Sequence, residues 1–310
     1  MNIIFMGTPE FAVLPLEGLI EKYGVSLVVS QPDKMVGRHK ELKMTPVKEV
    51  ALKNNIEVFQ PVRIRDDFKK IIDLKPDLIV TCAYGQIIPK ELLECPKYGC
   101  INIHASLLPK LRGGAPIHRA IIDGYSKTGI TIMYMDEKMD NGDIISQAET
   151  VITDDDTLDS LQERLSVMGK ELILKTISSI ISKTSSRVPQ DLSEVTYAYN
   201  IKREEEHIDF SIKTSREIFN QVRGLCSSPL ANVVLFDQEM KVIKCYEYGK
   251  KYENKLPGEI VEVIKDGFII STIDGSVVFT EIKPFGKKAM SSSSYLNGIS
   301  KDKIIGQVLK

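Results

Sequence analysis

Up to Ile181 the chain alternates, with short apolar runs of strand length separated by segments long enough for a helix. That rhythm constrains the fold more than any other feature. Strands spaced by helices pair side by side through crossover connections, which builds a mostly parallel sheet covered on both faces. Strands are expected at Asn2–Met6, Ser26–Ser30, Ile56–Phe59, Asp77–Thr81, Gly99–Ile103, Gly129–Met135 and Ile144–Val151. Helices are expected at Phe11–Lys22, Pro46–Asn54, Asp66–Leu74, Pro89–Glu94, Pro116–Asp123 and Thr157–Ile181. Pro15 should interrupt the first helix, whereas Thr45-Pro46 has the chemistry of an N-cap followed by proline at the first helical position. Gln31 to Met44 reads as a loop. The last two strands, joined by a loop, can be an antiparallel addition. The fold class is therefore α/β, with a Rossmann-like sheet.

Beyond Ile181 the composition shifts. Ser182 to His207 is rich in Ser, Thr, Gln and charge with little periodicity, the pattern of a connector. One helix at Ser215–Gly224 then precedes five strand-like runs at Asn232–Phe236, Val242–Tyr246, Gly258–Ile264, Gly267–Ile273 and Ser276–Glu281. Five short strands after one helix suggest a small C-terminal β-barrel, OB-like in type. The expected organisation is a first domain over residues 1–181, a linker over 182–207 and the barrel over 208–310. Only Ser291–Ser294 resembles low complexity.

A length of 310 residues suits one large or two ordinary domains, and shares of 43% apolar and 27% charged residues fit a globular protein. No run approaches the roughly 18 apolar residues of a membrane span. The first residues enter a strand with no basic leader, which points to the cytosol and away from membranes. The five cysteines contain no C-x-x-C pair and do not cluster with histidine, so neither a metal site nor a disulfide framework is expected. A net charge of −1 carries no polyanion-binding signature, and lysines in the last third tilt that part only weakly positive.

The chemistry is expected where the fifth strand ends. Asn102 and His104 lie two apart, so period-two alternation puts both on one face at the C-terminal end, where open α/β sheets bind ligands. An amide and an imidazole side by side can hold a carbonyl oxygen and move a proton. The following stretch, with Pro109, Gly113, Gly114 and Pro116, must form a shaped loop. A second stretch, Gly129 to Ile145, ends a strand in an acidic turn containing Asn141-Gly142. Hairpin-turn chemistry explains that turn, and so does a carboxylate from Asp136, Asp140 or Asp143 orienting the imidazole. Its spacing does not fit a calcium loop. Met6-Gly7-Thr8-Pro9-Glu10 opens a helix after a strand but lacks the later glycines of a dinucleotide fingerprint.

Together, Asn102, His104, the Ser106–Pro116 loop and Asp140-Asn141-Gly142-Asp143 resemble the folate-dependent formyltransferase family over about the first 180 residues. Met6 to Ala12, Gln31 to Lys48 and Phe59-Gln60-Pro61 support the resemblance. So do Ile208-Asp209-Phe210, Val222-Arg223-Gly224 and Asn297-Gly298-Ile299 in the C-terminal half. The resemblance implies transfer of the formyl group of 10-formyltetrahydrofolate to the α-amino group of charged initiator methionyl-tRNA, by a monomer needing no metal. It selects Asp140 as the partner of Asn102 and His104 in a catalytic triad. It implies folate contacts from Tyr84, Gly85, Gln86, Ile87, Ile88, Ser106, Leu107, Leu108, Pro109, Asp136 and Asp143. It implies tRNA contacts from Lys34, Arg38, His39, Lys40 and Lys43, and a tRNA-binding C-terminal barrel. Two stretches depart from the family pattern. Cys226-Ser227-Ser228-Pro229 stands where the family has a tryptophan-containing motif, and Gly114 replaces an alanine. His118, often Gln in the family, reads as structural.

Overall fold

The computed structural model describes residues 1–36 and 41–310. Strands β1 (Ile3–Gly7), β2 (Leu27–Val29), β3 (Lys34–Val36), β4 (Glu41–Lys43), β5 (Val58–Phe59), β6 (Leu78–Cys82), β7 (Cys100–His104), β8 (Lys127–Tyr134) and β9 (Ile144–Val151) occupy the first half. They alternate with α1 (Val13–Tyr23), α2 (Pro46–Lys53), α3 (Lys69–Asp73), α4 (Lys90–Glu94), α5 (Pro116–Ile122) and α6 (Leu158–Ile181). Seven of these strands form one sheet in the order β5-β2-β1-β6-β7-β8-β9. The pairs from β5 through β7 are parallel, and β8 and β9 join antiparallel, as the alternation implies. β1 and β6 are buried along their whole length, which is why they read as unbroken apolar runs.

Side-chain parity divides the core between the two faces. Ile4, Met6, Ile79 and Cys100 pack with Ile71 of α3 and Leu92 of α4. On the other face, the Cα of Gly169 in α6 comes so near Ile103 that an added Cβ would stand 3.3 Å from its Cγ2. Asn102 and His104 continue the row begun by Cys100, so a single face of β7 runs from packed core to strand end.

Several local expectations change. Pro15 does not interrupt α1, because it sits in the first turn, where its missing N–H has no intrahelical acceptor. Gln31–Met44 contains the hairpin β3–β4, with Lys34 paired to Lys43 and Met35 to Leu42. Its base is held by Asp33, which accepts bonds from Lys48 Nζ at 2.5 Å and Gln60 Nε2 at 2.8 Å. Burial alone would raise the Asp33 pKa, but the Gln60 and Lys48 bonds outweigh it and hold the carboxyl below its ordinary value.

The chain divides into two units: Met1–Pro116, Lys127–Val151 and Gln162–Tyr199 in one, Ile117–Ser126, Ile152–Leu161 and Asn200–Lys310 in the other. The stretch read as a connector is thus shared between them, and its part up to Tyr199 packs within the first unit. In the second unit, α7 (Ser215–Gly224) precedes β10 (Ala231–Leu235), β11 (Gln238–Glu247), β12 (Ile260–Ile264), β13 (Gly267–Ser271), β14 (Ser276–Pro284) and β15 (Met290–Ser291). Then come α8 (Ser292–Leu296) and α9 (Lys301–Ile304). The helix α7 opens with a reciprocal cap between Thr214 and Glu217. The four-serine stretch is a helix start, in which Ser291 Oγ accepts from the Ser294 N–H at 3.2 Å. His118 sits in this unit with its Nε2 at 3.3 Å from the Ser228 carbonyl, and burial lowers its pKa.

The antiparallel sheet runs β10-β11-β14-β13-β12, with β15 beside β14. Its two edges meet a common partner in the last residues. Val234 of β10 exchanges backbone bonds with Lys310, while Ile260 of β12 donates to the Gln307 carbonyl at 2.8 Å and accepts from Gly306. The last residues thereby join the two edges of the sheet. Leu309 is buried in the resulting core with Ile260, Phe268 and Phe279. Leu309→Ala is expected to destabilise this unit by about 2–5 kcal/mol, read as a lower midpoint in urea denaturation.

Candidate active site

Asn102 is fixed by its parallel neighbour. Thr81 of β6 faces it in register, and the Thr81 hydroxyl donates to Asn102 Oδ1 at 2.8 Å. With the amide so placed, Nδ2 is without a hydrogen-bond partner among the described residues. The residue is only half-buried. A half-buried strand end with an unused N–H pair is a ready donor site for a carbonyl oxygen.

His104 is buried beyond Asn102 on the same strand. Its Nε2 lies 3.0 Å from the Leu111 carbonyl, which can only accept, so that nitrogen carries a proton. The Nδ1 atom faces Asp140 Oδ1 at 3.7 Å, longer than a hydrogen bond but within ion-pair range. The other Asp140 oxygen accepts from the Gly113 N–H at 2.8 Å. A carboxylate anchored by a backbone donor and turned toward an imidazole can orient that ring.

The two loops meeting here are held by buried polar groups. Thr131 of β8 donates to the Ser106 carbonyl at 2.7 Å and accepts from the Leu108 N–H at 3.1 Å. Gln147 of β9 donates to both the Leu108 carbonyl and Thr131 at 2.9 Å. Farther along, the buried Arg112 donates from Nε and Nη2 to Gln190 Oε1 at 3.0 and 2.7 Å, and from Nη1 to Asn141 Oδ1 at 3.0 Å. Gln190 passes the constraint on, with Nε2 donating to the carbonyls of Asp140 and Gly142 at 2.9 Å each. Asn141 Nδ2 donates to Asp136 at 2.7 Å. The backbone of Arg112 pairs with Thr196 and Ala198, which gives Leu111 to Ala115 the regularity of a strand edge. Gly113 has φ +126°, and a Cβ there would lie 2.6 Å from the Ala198 carbonyl, so only glycine fits this close approach.

His104 and Asp140 are thus brought together, with Asn102 two residues down the same face. The residues singled out for folate divide by burial. Tyr84, Ile88, Ser106 and Leu108 are buried, with Tyr84 and Ile88 in the core around Ile4 and Met6. Burial pushes the Tyr84 phenol up to about 12. Gln86 accepts from the Ile64 N–H at 2.8 Å, while Gly85 and Ile87 are exposed and Leu107 and Pro109 half-buried. Asp136 is exposed and caps Lys138, and Asp143 meets Arg187 at 3.1 Å. Lys34 and Lys43 are exposed on the hairpin, and Arg38, His39 and Lys40 lie outside the described residues. Thr81, Thr131, Gln147, Gln190 and Thr196 are among the structural partners that sequence reasoning missed. Only Thr81 left a trace there, as the last residue of an expected strand.

Residues 1–177 match the family model described as formyl transferase, and residues 200–300 match the formyl transferase C-terminal domain. The chain is 50% identical over 305 residues to a methionyl-tRNA formyltransferase of Bacillus cytotoxicus, covering 96% of each chain. It is 51% identical to the enzyme of the same name from Bacillus mycoides, again with 96% coverage of both. Among solved structures, an N-formyltransferase from Helicobacter canadensis in complex with folinic acid and dTDP-3-aminofucose shares the fold. The TM-score is 0.69 at 23% identity, over 92% of this chain and 100% of that one. No helix among the described residues is long and apolar enough to cross a membrane, and no group of three metal-ligating side chains occurs among them.

Replacing Gln190 with leucine strips the Asp140 and Gly142 carbonyls of their donors and leaves two Arg112 N–H groups unmatched in a buried site. A loss of about 3 kcal/mol is expected in thermal or urea denaturation. Gly113→Ala is expected to cost about 1–3 kcal/mol by the same measurement, since its backbone and its Cβ are both strained.

Proposed function

This chain belongs to the formyl transferase family, and from that membership we propose that it transfers the formyl group of 10-formyltetrahydrofolate to the α-amino group of methionyl-initiator tRNA. Relatives that share half its residues over nearly its full length carry the corresponding name, which supports the acceptor. One observation carries the chemistry: the unengaged Asn102 N–H pair stands on the same strand face as a buried imidazole turned toward an anchored carboxylate. When bound, the folate supplies the formyl group on N10, and the methionyl amine is itself the nucleophile.

As that amine adds, negative charge grows on the formyl oxygen. Asn102 Nδ2 donates to it, and the Thr81 hydroxyl keeps the amide from turning its oxygen there instead. His104 is the second donor. At rest its Nε2 proton is held by the Leu111 carbonyl, and the formyl oxygen takes that place once the substrates are seated. Asp140 keeps the ring oriented, and through water helps carry a proton from the attacking amine to N10. Donors aimed at the oxygen are the largest expected contribution to rate.

In this reading residues 1–181 hold the catalytic apparatus, 182–207 link the parts and supply Gln190, and 208–310 bind tRNA. Tyr84 to Ile88, Ser106 to Pro109, Asp136 and Asp143 border the folate, with the buried members acting through backbone groups. Lys34, Arg38, His39, Lys40 and Lys43 meet the acceptor end. The reaction takes place in the cytosol, carried out by a monomer.

The test is a transfer assay with the formyl donor and charged initiator tRNA, run beside uncharged tRNA and a nucleotide-linked amino sugar. Formylation of charged tRNA alone is expected, and formylation of the amino sugar without the tRNA overturns the reading. Asn102→Ala should lower turnover about 10²–10³-fold, and His104→Ala and Asp140→Ala at least about tenfold, with tRNA binding little changed. Thr81→Val should reduce kcat and leave the KM for tRNA in place, with Thr81→Ser restoring it. An unchanged kcat in Thr81→Val removes the hydroxyl from the mechanism.

A further inference from the structure

Two tyrosines stand on the surface beside the Asp140 anchor. Tyr197 and Tyr199 are stacked, with ring centroids 5.6 Å apart and planes within 16° of each other. They are 56% and 67% exposed, whereas Ala198 between them is fully buried. The extended segment therefore sends its small residue inward, against Gly113, and both rings outward. Large aromatic side chains gain most from burial, so a mutually stacked pair displayed to solvent is a feature to be explained.

The pair is also held rigidly. The Arg112 N–H donates to the Thr196 carbonyl at 2.9 Å, the Ala198 N–H to the Arg112 carbonyl at 2.7 Å, and the Ala115 N–H to the Ala198 carbonyl at 3.1 Å. Leu111 adds a bond to the Thr196 hydroxyl at 2.9 Å. Tyr197 is thus bridged to Arg112, the residue next to the Gly113 whose N–H grips Asp140. Lys110 is exposed on the same loop.

We propose that Tyr197 and Tyr199 form a stacking platform for the unpaired bases at the 3′ end of the charged tRNA. The inference rests on the acceptor reading given above. The methionyl ester hangs on the last nucleotide of a single strand, so the preceding bases must lie close to the groups that act on its amine. Every base offers a flat π-face, and exposed aromatic rings on a fixed backbone bind such faces without reading sequence. Lys110 supplies a cation within the same loop for the phosphate backbone. A folate ring is the competing occupant, and the KM for the formyl donor distinguishes the two.

Two measurements on the full chain test the platform. In steady-state formyl transfer, Tyr197→Ala and Tyr199→Ala should each raise the KM for charged initiator tRNA about 5- to 150-fold, the factor corresponding to ~1–3 kcal/mol per stacked base. The KM for the formyl donor and kcat should stay within about twofold, and the two Phe variants should behave as the parent does. In the second measurement, a four-nucleotide RNA ending in CCA and carrying 2-aminopurine should lose fluorescence on binding the parent chain and the Phe variants. It should not do so with the double Ala variant, once circular dichroism shows that variant folded. An unchanged tRNA KM in both Ala variants overturns the proposal, as does a rise in the formyl-donor KM instead, or Phe variants as impaired as Ala. If the parent chain formylates no tRNA, the acceptor reading fails, and the fluorescence measurement then decides the platform by itself.

Discussion

A guanidinium taken out of water must have its donors met, because an unmatched buried charge costs several kcal/mol. Arg112 meets that demand with amide oxygens, two bonds to Gln190 and one to Asn141, and nearly everything in the site follows from it. Gln190 can serve the arginine with its oxygen only by presenting its nitrogen on the other side, where the carbonyls of Asp140 and Gly142 wait. The arginine's own backbone meanwhile pairs with Thr196 and Ala198, placing the Gly113 N–H under the Asp140 carboxylate. One buried charge thereby fixes a turn from above and a loop from below. Such a network is cooperative: each amide is polarised by its neighbours, and loss of one member unsettles the rest.

The sheet contributes the other half. Along one face of β7, Cys100 lies in packed core, Asn102 is half-buried and His104 ends the strand, so rigidity established by apolar packing is passed directly to the polar pair. The antiparallel strand β8 adds Thr131 opposite His104, and its hydroxyl ties down the Ser106 and Leu108 backbone. Groups placed on strands and braced by neighbouring strands hold their geometry better than groups on loops. Asp140 is the exception, carried on a turn, and it is the residue on which the arginine network concentrates.

Much of this was legible in the residues alone. The strands of the first unit and their alternation with helices were visible, since fully buried parallel strands read as apolar runs. Asn102 and His104 were visible because period two is local. The choice of Asp140 over Asp136 and Asp143 came from family resemblance. In the structure Asp140 Oδ1 lies 3.7 Å from His104 Nδ1. What stayed hidden was long-range. Gln190 is 78 positions from Arg112, in a stretch whose polarity imitates a connector because its bonds run through backbone and amide groups rather than an apolar stripe. The β3–β4 hairpin was missed because both strands are only three residues long. The closing of the C-terminal sheet by Gln307 and Lys310 is made of backbone bonds, which no side-chain pattern announces.

The separation of Gln190 and Ala198 from the turn and loop they secure has a consequence during synthesis. A ribosome adds residues from the N-terminus, and strands β1 to β9 emerge before the segment that locks the acidic turn. Until about 200 residues have cleared the exit tunnel, Arg112 lacks the Gln190 oxygen that accepts two of its bonds, and Asp140 lacks its carbonyl tether. The nascent domain can collapse around its apolar strands while its reactive centre is still unassembled, so competence arrives in one late step rather than growing with the chain.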